Sequence, residues 1–167
     1  KELAALVCNK LGEKDIDAVL VGGACVSIYT KNKYVSYDLD FVSYSTMKDI
    51  AAALTGLGFR RESSRHFVRK DCPYFIEFVS PPLSIGSERI RKQARIKTRL
   101  GDITLLTATD SVKDRLAAYY HWNDPQAMEQ AVLVAKAQKV DLRDVKRWSV
   151  AEGFKEKYDN FLKILKK

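Results

Sequence analysis

The sequence predicts an α+β fold: a mixed β-sheet with flanking helices over residues 1–107, with a helical region, residues 108–167, packed on it. Three observations carry this expectation. Short β-rich runs separated by Gly, Pro and Asp occur up to "ITLLT" and then stop. The compact apolar run "AVLV" breaks at Gly22-Gly23, the signature of a strand that turns directly into a helix. From Thr109 onward apolar residues recur every three or four positions, the period of amphipathic helices. With 167 residues, 46% of them hydrophobic, the chain can bury a substantial core, so disorder is not expected.

Each element has its own local reason. Leu3, Leu6, Val7 and Leu11 mark a first helix that Gly12 ends. "AVLV" is a buried strand, and "ACVSIY" is a short helix starting on the glycines. In "YDLDFVS" polar and apolar residues alternate, which places Leu39 and Phe41 on one face of a strand and Asp38 and Asp40 on the other. Thr46 caps a helix with the stripe Ile50, Ala51, Leu54 and Leu57, closed by Gly56 and Gly58. "HFVRK" and "YFIEFVS" flank the break Asp71-Cys72-Pro73 and form an antiparallel hairpin. "ARIKTRL" and "ITLLT" form a second one around Gly101-Asp102. In the helical part Thr109 is the expected cap of the first helix, with Val112, Leu116, Tyr119 and Tyr120 as its stripe. Asp124-Pro125 opens the next helix, Asp141 a third, and Ser149 with Glu152 has the spacing of a capping box for a fourth.

Composition narrows the function. The cysteines, Cys8, Cys25 and Cys72, are odd in number and lack C-x-x-C spacing, which argues against a disulfide framework. No stretch approaches the roughly 20 apolar residues of a membrane helix, and the amino end lacks a signal-peptide pattern, so the expected setting is cytoplasmic with no membrane partner. Basic residues exceed acidic ones by 29 to 21, a net charge of +8. Residues 89–99, "RIRKQARIKTR", carry six cations and no acid. Such a run is most often a solvated face, and otherwise a place where a polyanion binds and releases its counterions.

The chemistry concentrates around residue 40. Asp38 and Asp40 project from one strand face with β-carbons roughly 6–7 Å apart, where two carboxylates repel unless a cation lies between them. Oxygen donors select Mg²⁺ or Mn²⁺ over zinc. Glu77 lies in the otherwise apolar strand "FIEFV", where a charge without a partner is costly, and is the best third ligand; Asp71 is the alternative but lies in a turn. Gly22 and Gly23 let backbone N–H groups approach phosphates at a helix start, and Ser27 and Thr30 can add hydroxyl contacts. Taken singly, a Gly pair is a tight turn and D-x-D a wet strand face; only together do they point to a site.

"VLVGGA", "SYDLDFVS" and "FIEFVS" resemble the nucleotidyltransferase superfamily related to DNA polymerase beta, and within it the small bacterial branch of minimal nucleotidyltransferases and abortive-infection-type toxins. The resemblance covers residues 16–80. It implies a nucleotidyltransferase-like sheet whose carboxylates, here Asp38, Asp40 and Glu77, hold two Mg²⁺ ions on a nucleoside triphosphate, and whose glycines, here Gly22 and Gly23, support its phosphates. It also places Lys113 as a candidate contact to the triphosphate, against the alternative of a lysine paired with Asp110 and Asp114. Two features depart from the family pattern: fourteen residues separate Gly23 from Asp38, a longer gap than usual, and Gly23 replaces a frequent serine.

The implied reaction is transfer of NMP from an NTP to an acceptor hydroxyl. Three acceptors stay open: an RNA or tRNA 3′ end, towards which residues 89–99 tilt the reading, a protein hydroxyl, or a small molecule such as an aminoglycoside. Two other classes compete with the enzyme: a catalytically silent member that binds nucleotide or an antitoxin protein, and a plain RNA-binding module. His66 and His121 suggest no metal box and are expected to be surface or packing residues.

Overall fold

The computed structural model describes residues 1–167. The first half runs α1 (Glu2–Gly12), β1 (Val19–Val21), α2 (Gly22–Tyr29), β2 (Asp38–Val42), α3 (Met47–Thr55), β3 (Arg60–Arg61), β4 (His66–Val68), β5 (Phe75–Val79), β6 (Ser84–Ile85), β7 (Glu88–Arg89), β8 (Gln93–Ile96) and β9 (Ile103–Leu106). Four helices follow: α4 (Ala108–Trp122), α5 (Pro125–Ala137), α6 (Leu142–Ala151) and α7 (Lys155–Leu165). The α+β expectation holds, with a sheet of mixed direction.

Seven strands form the main sheet in the order β3-β4-β5-β2-β1-β9-β8. β2 runs parallel to β5 and β1 parallel to β9, and the other neighbours are antiparallel. The pairings Leu39↔Ile76, Phe41↔Phe78, Phe67↔Ile76 and Leu20↔Leu105 gather buried side chains on one face. Helix α1 packs on α3 and on β9 there, and burial of Val7, Leu11, Ile50 and Leu54 stabilises the layer by roughly 1.5–3 kcal/mol per side chain. One core of 36 buried residues extends from Ala4 to Phe161, so the helical region shares it.

Residues on the opposite face alternate with these: His66 on β4, Glu77 and Val79 on β5, Asp38, Asp40 and Val42 on β2, Val21 on β1, Leu106 on β9, and Gln93 and Arg95 on β8. A small hairpin of β6 and β7 folds back over this face, so that Leu83 and Ile85 meet Val21, Val42, Val79 and Leu106 around a cavity of about 210 Å³. Helix α6 holds the hairpin from outside. Trp148 Nε1 donates to the Ile85 carbonyl at 3.2 Å, and Glu152 Oε1 accepts from the Ser87 N–H at 2.9 Å and from its hydroxyl.

Two caps differ from expectation. Thr107, not Thr109, caps α4 by accepting from the Asp110 N–H at 3.1 Å, while Thr109 accepts from the Asp141 N–H. Both threonines precede helical residues, and the end of β9 at Leu106 decides between them. Ser149 and Glu152 form no capping box, because they close α6: Ser149 donates to the Val145 carbonyl and meets the Tyr120 hydroxyl at 2.8 Å. α7 starts at Lys155 without a side-chain cap.

Candidate functional site

Register alone brings the three carboxylates together. Asp40 is the direct partner of Glu77 across the parallel β2–β5 pair, so their backbones are about 4.8 Å apart, and Asp38 lies two residues before Asp40 on the same face. Val21 is the partner of Asp40 on the other side, and the next residue begins α2. At that corner Gly22 has φ +68°, a conformation that costs other residues roughly 1–2 kcal/mol. A β-carbon at Gly22 would also fall on the Asp40 Oδ2, so the absence of a side chain is what lets the start of α2 meet the carboxylate.

The electrostatics follow from this crowding. Burial, then Asp38, then Glu77 push the Asp40 carboxyl up to about 6, against the opposing pull of Arg115. Arg115 is the cation that sequence reasoning left in the background. It is held on α4 by Asp114 at 2.6 Å and sits close enough to Asp40 to feel its charge. The signal was its spacing: on α4 it lies one turn beyond Ser111, on the side of the helix turned to α2 rather than the side that carries Lys113.

Lys113 occupies a different environment. Its ammonium is closed off from solvent, 1% exposed, and lies 2.6 Å from Asp144, 2.9 Å from Glu88 and 3.7 Å from Asp110. Burial opposes its charge, but the hydrogen bonds with Asp144 and Glu88 outweigh that and raise its pKa. Of the two acids proposed as its neighbours, Asp110 is a partner and Asp114 pairs with Arg115 instead. Ser27 is also committed elsewhere: its hydroxyl donates to the Gly23 carbonyl at 3.3 Å and accepts from the Ser36 N–H at 2.9 Å. Thr30 donates to the Val26 carbonyl. Asp71 is exposed in the β4–β5 turn, outside the carboxylate row.

His66, expected to be a surface or packing residue, is half-buried against Phe75, and β4 sets it directly opposite Glu77, with Nδ1 at 3.9 Å from Oε2. Its position depends on the register of a three-residue strand, which periodicity cannot fix. His121 does pack, edge-on against Phe154 at 5.0 Å.

As the side chains stand, no group of three or more His, Cys, Asp and Glu residues is arranged to hold a metal ion. Asp38 Oδ1 instead accepts from the Ser36 hydroxyl at 3.2 Å, and Glu77 leans towards His66. The donor set nevertheless fits a hard divalent cation in kind: three carboxylates and no soft ligand, with one of them raised by burial and by its neighbours' charge.

The sheet strand of the basic segment, β8, does not sit beside this row. Arg95 shares its sheet face, but β8 is the outer strand, with β9 and β1 between it and β2, a span of about 14 Å. Of residues 89–99, Arg89 belongs to the β6–β7 hairpin, and the chain then crosses the sheet to β8 at its far edge. No helix is long and apolar enough to cross a membrane.

No protein-family model matches the chain, and no curated protein matches it. Solved structures do. The antibiotic-resistance factor ANT(2″)-Ia in solution aligns over 96% of this chain and 91% of its own, at 12% identity and a TM-score of 0.55. ANT(2″)-Ia in complex with adenylyl-2″-tobramycin aligns over 94% and 93%, at 11% identity and a TM-score of 0.53. An antigenic nucleotidyltransferase-like protein from Paracoccidioides brasiliensis aligns over 80% and 74%, at 12% identity and a TM-score of 0.59. With a mixed sheet that joins a glycine turn to a strand bearing D-x-D, the chain has the nucleotidyltransferase fold.

Proposed function

We propose that the protein is a metal-dependent nucleotidyltransferase that moves NMP from an NTP to an acceptor hydroxyl, with an RNA end as acceptor. The observation that carries the reading is the register that pairs Asp40 with Glu77 and sets Gly22 against Asp40. Residues 1–107 form the catalytic part in this reading, and residues 108–167 the helical part packed on it.

Asp38, Asp40 and Glu77 would hold Mg²⁺ or Mn²⁺, which supplies charge neutralisation at the phosphates. The backbone at Gly22 and Gly23 supports the phosphate chain at the start of α2, where the helix dipole favours negative charge. Arg115 adds a cation on the same side. The acceptor oxygen forms its bond to the α-phosphorus as the bond from that phosphorus to the bridging oxygen of the β-phosphate breaks, and pyrophosphate leaves with the electron pair. The hydroxyl proton passes to the carboxylate row, where Glu77 is the most accessible member on the β4 side. A polyanionic acceptor is supported by the surplus of basic residues. A small polyhydroxyl acceptor is the second reading, supported by the neighbour solved with adenylyl-2″-tobramycin.

The test is incubation with α-labelled NTPs and Mg²⁺ or Mn²⁺ against total RNA, protein extract and aminoglycosides. Label should transfer to RNA in the parent and not in Asp38→Ala/Asp40→Ala. Transfer that persists in that variant, or in EDTA, refutes the site.

A further inference from the structure

On the outer side of the carboxylate row lies a strip of the same sheet face that the phosphate site does not use. Phe75 is the register partner of Asp38, and His66 that of Glu77. Their rings are 4.9 Å apart, tilted by 34°, and both are part-exposed. A π surface therefore borders the carboxylates. One strand further out, Arg60 is paired with Val68 and so projects from the face that carries His66.

The charges around these rings are lopsided. Residues 60–71 hold five cations, Arg60, Arg61, Arg65, Arg69 and Lys70, against two acids, Glu62 and Asp71. Two of the arginines are committed: Arg61 donates to the Ser63 and Ser64 carbonyls, and Arg69 donates to the Leu57 carbonyl and stacks over Phe59. Arg60 and Arg65 are exposed and make no such contact. Glu62 lies opposite His66, but with Arg60 on the same face and the exposed Arg65 directly before His66, the rings suit a ligand that is flat and anionic in alternation. Single-stranded nucleic acid has that chemistry, since any base offers a π face and each linkage a phosphate.

We infer that His66 and Phe75 are the stacking platform for the terminal base of a single-stranded RNA acceptor, with Arg60 and Arg65 on its phosphates, so that the terminal ribose hydroxyl is presented at Glu77. This rests on the nucleotidyl-transfer reading and adds the acceptor's seat to it. The strip lies one strand from Glu77, whereas the sheet strand of the basic segment, β8, is the far edge of the sheet.

The test uses anisotropy of a 5′-labelled single-stranded RNA decamer in EDTA, with calorimetry of Mg²⁺-NTP binding alongside. Phe75→Leu and His66→Ala should each weaken RNA binding by roughly fivefold to a hundredfold, the range for loss of one stacked base, while Phe75→Tyr retains it. Arg60→Ala/Arg65→Ala should reduce the slope of log affinity against log salt by about 1.4. All four variants should keep the parent's Mg²⁺-NTP affinity. RNA affinity within twofold of the parent in both ring variants overturns the inference, as does loss confined to Arg91→Ala/Arg95→Ala. Binding of tobramycin that Phe75→Leu abolishes while RNA binding stays intact overturns it too. A parent that binds RNA through the platform but neither binds nor transfers NTP overturns the enzymatic reading and leaves the platform standing. Thermal melting checks the fold; if Phe75→Leu is unfolded, His66→Ala and the surface arginine pair decide.

Discussion

Replacing Asp40 with Asn should stabilise the metal-free protein at neutral and alkaline pH. The Asp40 carboxyl is raised to about 6 by burial, Asp38 and Glu77, against 3.8 for a free aspartate. A folded-state value above the unfolded one means that the fold favours the protonated form. Below the unfolded value both states are neutral at this position and no penalty exists. As pH rises through the interval to about 6 the fold must accept an unwelcome charge, and above it the penalty is complete. The difference converts to about 2–3 kcal/mol once residual solvent at the part-exposed side chain is allowed for. Urea unfolding in EDTA, at about pH 3 and about pH 8, compares the two proteins. Asp40→Asn should match the parent within a few tenths of a kcal/mol at the acid end and exceed it by that amount at the alkaline end. Mg²⁺ should then stabilise the parent and not the variant. An offset that does not change with pH, or a variant less stable at about pH 8, would refute the crowding argument.

Other outcomes follow from particular contacts. Gly22→Ala places a β-carbon on the Asp40 carboxylate at a left-handed φ, so it should cost at least roughly 1–2 kcal/mol in thermal melting and lower Mg²⁺-NTP affinity in calorimetry. Lys113→Ala leaves Glu88, Asp110 and Asp144 without their buried cation, and should lower stability by roughly 3–5 kcal/mol in urea titration.

The legible parts of this protein are those set by short-range rules. The glycine turn into α2, the alternation in β2, the capped α3 and the Asp124-Pro125 start of α5 are all local patterns, and the structure keeps them. The three carboxylates are readable as candidates because Asp38 and Asp40 share one strand face, where they repel, and Glu77 sits in an otherwise apolar strand. What sequence could not give was lateral order. That β4 pairs with β5 and carries His66 to Glu77, or that β8 lands at the far edge, depends on pairings between distant strands. The β6–β7 hairpin was missed because two-residue strands have no period to read. Lys113 shows the same limit: its partners Glu88 and Asp144 come from elements 25 and 31 residues away.

The hairpin over the sheet has a consequence for synthesis. Its roof position depends on Arg147, Trp148 and Glu152, all encoded well after the strands it covers. On a growing chain the sheet residues through Leu106 emerge long before these anchors do. Until residue 152 is free, the hairpin lacks its outer holds, and the apolar row Val21, Val42, Val79 and Leu106 stays open to solvent. The nascent protein therefore exposes the inner wall of its own cleft while residues 107–152 are made, and this is the stage at which aggregation or capture by a chaperone competes with closure.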